Sequence, residues 1–454
     1  MARVSHLSLL PLLLSLVSAS DVPPPSIQIP LPEEEAVYLA LESINPTIPW
    51  RTLFPDDLCL YGPHGIVCEL FPESSSTAAV AAVPHVTELN FGYVSDFSSN
   101  PSCSLNASFP TSLSALPYLR KLFFFSCFTG EKTTLSRTFS NLSSSLEELV
   151  IIENPSLSGK LSGILGDFPQ LRRVVISRTG ISGNIPDEIG NLRNLEQLVL
   201  TGNRLHGAIP TSIGQCLRLK ILDLSFNRIT GRFPDEIGQL TELVKLDLSS
   251  NHLIGPIPAV LASLDLLEFL DLSHNRLTGG VPIALAELVN LREVFLTGNP
   301  LGGGIPEIWS KLKGIKGIGM SGLGLVGNIP SSMGVFLENI CYLALDNNFL
   351  EGELPEQFKK LESSAKEVNF ENNLLRGRIP FSAAFIESLG GKLKLAGNPK
   401  LCLTEKISLL AGDFNSCNKL EIPHSTLPSS EALILKTPPF FRIFLFILCF
   451  LNFV

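Results

Sequence analysis

The chain has 454 residues, enough for two or three ordinary domains, although a repeat array could fill the same length as one body. Its formal net charge is -9 and it contains no Lys/Arg-rich run, which excludes nucleic acid as a partner on electrostatic grounds. The nine cysteines are read differently in reducing and oxidising compartments, so the amino terminus is considered first.

Residues 1–20 have the three-part layout of a secretory signal peptide. Met1-Ala-Arg-Val carries one positive charge, an apolar run follows over 7–17, and Ser18-Ala19-Ser20 supplies small residues. The apolar run is too short to span a bilayer. Export implies an oxidising compartment, so the cysteines are read as disulfides before metal ligands.

A repeat dominates the middle of the chain. Leu171, Leu195, Leu219, Leu243, Leu267, Leu291 and Ile315 recur at a spacing of about 24 residues, and Leu146, Ile340 and Ala365 continue the series with one extra residue. Within a unit the apolar positions are the first, fourth and sixth, as in Leu195, Leu198 and Leu200, and the spacing of two predicts a strand with one buried face. An asparagine follows at Asn203, Asn227, Asn251, Asn275, Asn299, Asn348 and Asn373. Stacked inward amides can satisfy turn backbone groups that a narrow solenoid would bury unpaired. Thr179 and Leu323 occupy the same slot and interrupt the ladder, which predicts weaker turns there. The second half of each unit reads Leu-x-Gly-x-Ile-Pro, as in Leu205-His-Gly207-Ala-Ile209-Pro210. Glycine permits the turn, proline ends it, and the segments after proline, such as 187–192, are long enough only for one helical or 3₁₀ turn.

The combined string, Leu-x-x-Leu-x-Leu-x-x-Asn-x-Leu-x-Gly-x-Ile-Pro, resembles the plant subtype of extracellular leucine-rich repeat over 146–386. The resemblance implies an α/β solenoid: a curved, right-handed horseshoe of about ten to twelve repeats, with a parallel concave sheet and disulfide-closed caps. Residues 21–82 are similar to the family's N-terminal cap, with the acidic start Glu33-Glu-Glu35, an amphipathic stretch to Ile44, Trp50, and Cys59 with Cys68. The repeats then occupy 83–390, regular from 146, and 391–420 resembles the closing cap through Gly397-Asn-Pro-Lys-Leu-Cys402 and Cys417. Solenoid ends need covering, so Cys59–Cys68 and Cys402–Cys417 are expected bridges. Cys103 and Cys127, in the irregular early repeats, are the next candidates for a bridge. The pairing of those two, of Cys216 and of Cys341 stays open. Sequons at Asn106 and Asn141 permit glycosylation of a secreted chain.

A polar stalk at 421–438 leads to an apolar tail at 439–454 that contains Arg442 and is shorter than the about 20 residues of a spanning helix. Small residues at 429–432 suit a glycolipid-anchor signal attached at Ser430; a short membrane helix, or neither role, are the alternatives. In size and in its apolar tail the chain resembles the kinase-lacking receptor-like proteins, nearest the Piriformospora indica-insensitive and Too Many Mouths group.

No catalytic motif stands up. Gly322-Leu-Gly324-Leu-Val-Gly327 fits a dinucleotide fingerprint, but its last glycine is the repeat glycine before Ile329-Pro330 rather than the opening of a βαβ helix. The chain is therefore expected to bind rather than catalyse, with no cofactor and no metal.

In the strands, positions three and five point away from the core and line up in columns. Column three runs Arg173, Gln197, Ile221, Lys245, Phe269, Glu293, Gly317, Tyr342, Glu367; column five runs Val175, Val199, Asp223, Asp247, Asp271, Phe295, Gly319, Ala344, Asn369. Phe269, Phe295 and Tyr342, with Phe226 on a neighbouring turn, flank a hollow left by two glycines and form a candidate contact patch beside the acidic stripe Asp223, Asp247 and Asp271. The competing reading is that these rings pack on one another and that Asp-Leu-Ser is only a favoured strand ending. By resemblance, the chain is a cell-surface receptor-like or co-receptor protein that recognises a peptide or a receptor-kinase ectodomain, in developmental or microbe-response signalling. The alternative is a soluble cell-wall inhibitor of a microbial polysaccharide-degrading enzyme, with a purely structural wall protein third.

Overall fold

The computed structural model describes residues 28–63, 65–72, 82–92, 101–135, 144–403 and 414–417. The expected signal peptide, Asn141, the stalk, Ser430 and the apolar tail lie outside the described residues.

The period-two pattern of the repeat produces a 14-stranded sheet that runs the length of the described chain. Its first two strands, Ile66–Pro72 and Ala82–Phe91, are antiparallel, and every later neighbour is parallel. From Gln197–Val199 to Glu367–Asn369 the strands are three residues long and step along without a register slip. Their central residues, including Leu198, Leu222, Leu246 and Leu270, stack on the core side with no exposed surface.

After each strand the chain turns, and the Leu-x-Gly half of the repeat forms short strands in further parallel sheets. Gly207 shows why glycine is needed: its φ is +78°, and a β-carbon there would lie 2.7 Å from Asn184 Oδ1. The convex side is then closed by 3₁₀ turns at Asp187–Asn191, Thr211–Gln215, Asp235–Gln239, Ala259–Ser263 and Ile283–Glu287, each entered from a proline.

The asparagine ladder is present and is longer than the sequence pattern suggested. In the regular form, Asn251 Nδ2 donates to Leu224 O (2.9 Å) and Leu248 O (3.2 Å), while its Oδ1 accepts from Ile229 N (2.9 Å). Asn154 and Asn398 do the same work at the two ends. The two interruptions are filled in different ways. Thr179 Oγ1 donates to Asn203 Oδ1 (2.6 Å) and accepts from Ile181 N (3.2 Å). At Leu323 no side chain bonds, but Asn348 Oδ1 accepts from both Leu323 N and Leu325 N at 3.0 Å, and Leu301 N turns instead to Asn299 O at 2.9 Å.

The ends are covered as expected. The helix Leu31–Ile44 buries Ala36, Val37, Ala40, Leu41 and Ile44 against the first strands, and Trp50 Nε1 donates to Asn45 O (3.0 Å). Glu33, from the acidic start, is buried and meets His85 Nδ1 at 2.6 Å and Val86 N at 3.2 Å. Bridges join Cys59 to Cys68, Cys103 to Cys127 and Cys402 to Cys417. Cys341 is also in a disulfide, whereas Cys216 is a free thiol buried in the core. Asn106, the described sequon, is exposed near the N-terminal end.

Candidate functional site

The two columns are real rows of side chains. Ile221, Lys245, Phe269, Glu293, Gly317 and Tyr342 pair in register, and so do Asp223, Asp247, Asp271, Phe295, Gly319 and Ala344. Strand geometry therefore brings the acidic stripe and three of the four candidate aromatics onto one continuous surface. Phe226 stands apart on the turn after Ile221–Asp223, 49% exposed and with a φ of +54°.

The aromatics are a packed row rather than separate exposed rings. Phe269 and Phe295 have centroids 5.9 Å apart, and Phe295 and Tyr342 are 6.3 Å apart. The expected hollow is filled by Phe295. A β-carbon at Gly319 would lie 2.7 Å from Phe295 Cδ1, and one at Gly317 would lie 3.4 Å from its Cζ. The two glycines thus let the ring lie down on the sheet, and Phe295 is only 8% exposed; the expectation of an exposed ring is corrected for that residue. Phe269 and Tyr342 remain half-buried.

The acidic stripe is built by a local bond. In each Asp-Leu-Ser, one carboxylate oxygen accepts from the serine two residues on: Asp223 from Ser225 Oγ (2.7 Å), Asp247 from Ser249 Oγ (2.7 Å) and Asp271 from Ser273 Oγ (2.5 Å). The favoured-ending reading is therefore physically right, yet the second oxygen of each aspartate is left for other partners. Lys245 takes two of them, with Nζ 2.9 Å from Asp223 Oδ2 and 3.9 Å from Asp247 Oδ2, and it also lies over the Phe269 ring at 5.4 Å.

Two residues of the columns matter more than the sequence indicated. Lys245 supplies a central cation, and Glu293 places a further carboxylate beside Asp271. Their signal was present in column three, but sequence alone gave no means of weighing them. Burial raises the pKa of Glu293 to about 7, with Asp271 adding to the effect and Lys316 opposing it. Burial likewise raises Asp247 to about 7, helped by Asp223 and Asp271, and it raises Asp271 against the pull of Ser273. For Lys245, burial works against the charge, but Asp223, Asp247 and Asp271 together outweigh it and raise the pKa. The surface is thus a partly desolvated acidic trough, framed by aromatic rings, with Lys245 paired to its aspartates.

Comparison with known proteins fits this architecture. Leucine-rich-repeat models match residues 193–253, 266–288 and 290–312. Three Arabidopsis thaliana proteins are similar: Receptor like protein 29, 37% identical over 30% of this chain and 27% of its own length; Protein TOO MANY MOUTHS, 32% identical over 31% and 26%; and Piriformospora indica-insensitive protein 2, 33% identical over 32% of each. The matched segment spans about a quarter to a third of the length of these relatives. Among solved structures, the leucine-rich-repeat ectodomain of the Arabidopsis receptor kinase HAESA, in complex with a peptide hormone, has a TM-score of 0.64 at 27% identity, covering 82% of this chain and 57% of that one. The period, the ladder, the sheet and the matches agree: the fold is a leucine-rich-repeat solenoid, and about a third of the chain is similar to plant receptor-like proteins.

Proposed function

We propose that the chain is a receptor-like or co-receptor binding protein of the cell surface, and that its concave sheet recognises a peptide or the ectodomain of a receptor kinase. The observation that carries the reading is the long sheet, parallel from Ala82–Phe91 onward, with an aromatic row beside an acidic trough. Such a surface offers rigid rings and partly desolvated charges to an extended segment laid across the strands. The HAESA ectodomain, of similar fold, is in complex with a peptide hormone. Three bridges within the described residues suit an oxidising, extracellular setting. Membrane attachment through the apolar segment 439–454, at Ser430 or as a helix, and a part in developmental or microbe-response signalling belong to the same proposal, as does the absence of catalysis.

Two measurements on the full chain test it. Phosphatidylinositol-specific phospholipase C should release the protein from plant membranes; retention argues for a membrane helix, and recovery in wall fluid without enzyme argues against attachment. Added in excess to a fungal polygalacturonase, the protein should leave the rate unchanged, whereas stoichiometric inhibition would replace the receptor reading with the inhibitor one.

A further inference from the structure

Lys245 shows how the concave face holds a cation: between two aspartates, over an aromatic ring. One step along the sheet the same constituents recur, and among the described residues no cation is paired with them. Asp271 pairs in register with Phe295, Glu293 pairs with Phe269, and Tyr342 stands beyond the Phe295 ring. Asp271 uses one carboxylate oxygen on Ser273. Glu293 is 6% exposed, and no hydrogen bond or ion pair reaches its carboxylate among the described residues. Lys316 acts on it only from a distance. A carboxylate so far desolvated and left without a partner is costly unless something brings one.

We propose that this position is the seat of an arginine side chain of the partner, with the guanidinium bridging Asp271 and Glu293 and lying against Phe295. The proposal rests on the reading of the concave sheet as the contact surface. A guanidinium fits the geometry better than other cations. Its planar fork can donate to two separate carboxylates while a face stacks on a ring, and it is more weakly hydrated than an ammonium, so burial costs it less. A metal ion fits poorly, because no three carboxylate, histidine or cysteine side chains converge among the described residues.

The test uses the full chain and a phage-displayed library of random linear peptides. Enriched peptides should share an arginine. Replacing it by citrulline, which keeps the shape and removes the charge, should weaken binding at least about tenfold, and Glu293→Gln and Asp271→Asn should do the same to the parent peptide. Both substitutions are near-isosteric, and a melting temperature of the free proteins no lower than the parent's excludes misfolding as the cause. Peptides that lack arginine, or that ignore both substitutions, would overturn the seat. If such peptides are nonetheless blocked by Gln197→Trp on the same sheet, the concave reading survives and only the seat fails. Peptides indifferent to every concave substitution, or no enrichment at all, would contradict both.

Discussion

Phe226 and Glu293 are two side chains kept where stability alone would not put them. The turn position of Phe226 is glycine in other repeats, at Gly202, Gly298 and Gly322, because φ is positive there. A bulky residue in that region costs on the order of 1–2 kcal/mol, and a half-exposed ring returns little of it. Phe226→Gly should therefore stabilise the fold by about 1 kcal/mol in chemical denaturation, after allowing for the entropy of the added glycine. A loss of stability would mean that the ring packs usefully in the free protein. Glu293 is tested through pH. Its pKa in the folded protein is raised to about 7, above that of an unfolded glutamate, so between those values the folded state holds the proton more tightly. Its cost is present above about pH 7, is relieved as pH falls through that value, and is gone below about pH 4. Glu293→Gln should therefore be more stable than the parent by roughly 1–3 kcal/mol at about pH 8, with the difference shrinking toward about pH 5. A difference that does not change with pH would show that the carboxylate is not desolvated.

Within the repeat as an element, the asparagine ladder shows both what sequence makes legible and what it hides. A recurring Asn at a fixed offset from a period-two strand can do little else than face inward, so its role could be read directly. Its absence at Leu323 could not be read so simply, because the compensation lies in backbone outside the slot: Leu301 N bonds to Asn299 O in a segment shaped by Pro300 and Gly302-Gly303-Gly304. Asn251→Leu should consequently cost about 2–4 kcal/mol, since the four buried bonds of its side chain are lost. Leu323→Asn should yield no matching gain, because Leu301 N is already bonded. Denaturation of both variants checks this; equal and opposite effects would show that the slots are independent of their surroundings. The same distinction applies to the site. The columns follow from the strand period, and the register reproduces them residue for residue. The sequence could not show that Phe295 lies down over Gly317 and Gly319, or that Lys245 pairs with Asp223, because both depend on how side chains of neighbouring strands lean toward one another.

At the scale of the whole molecule, capped ends and a ladder along the turns hold one long sheet rigid, and a rigid sheet keeps its side-chain rows in fixed register for a partner. The central claim is that the partner meets that concave face rather than the convex turns. Photo-crosslinking tests it most directly. A benzoyl-phenylalanine is placed at Phe269 in one version of the full chain and at Thr211, on a convex 3₁₀ turn, in another, and each is irradiated in plant membranes. A discrete light-dependent adduct with another protein from position 269 and none from position 211 is the predicted result. An adduct from 211 alone, or none from 269 in a protein that melts normally, would contradict the account.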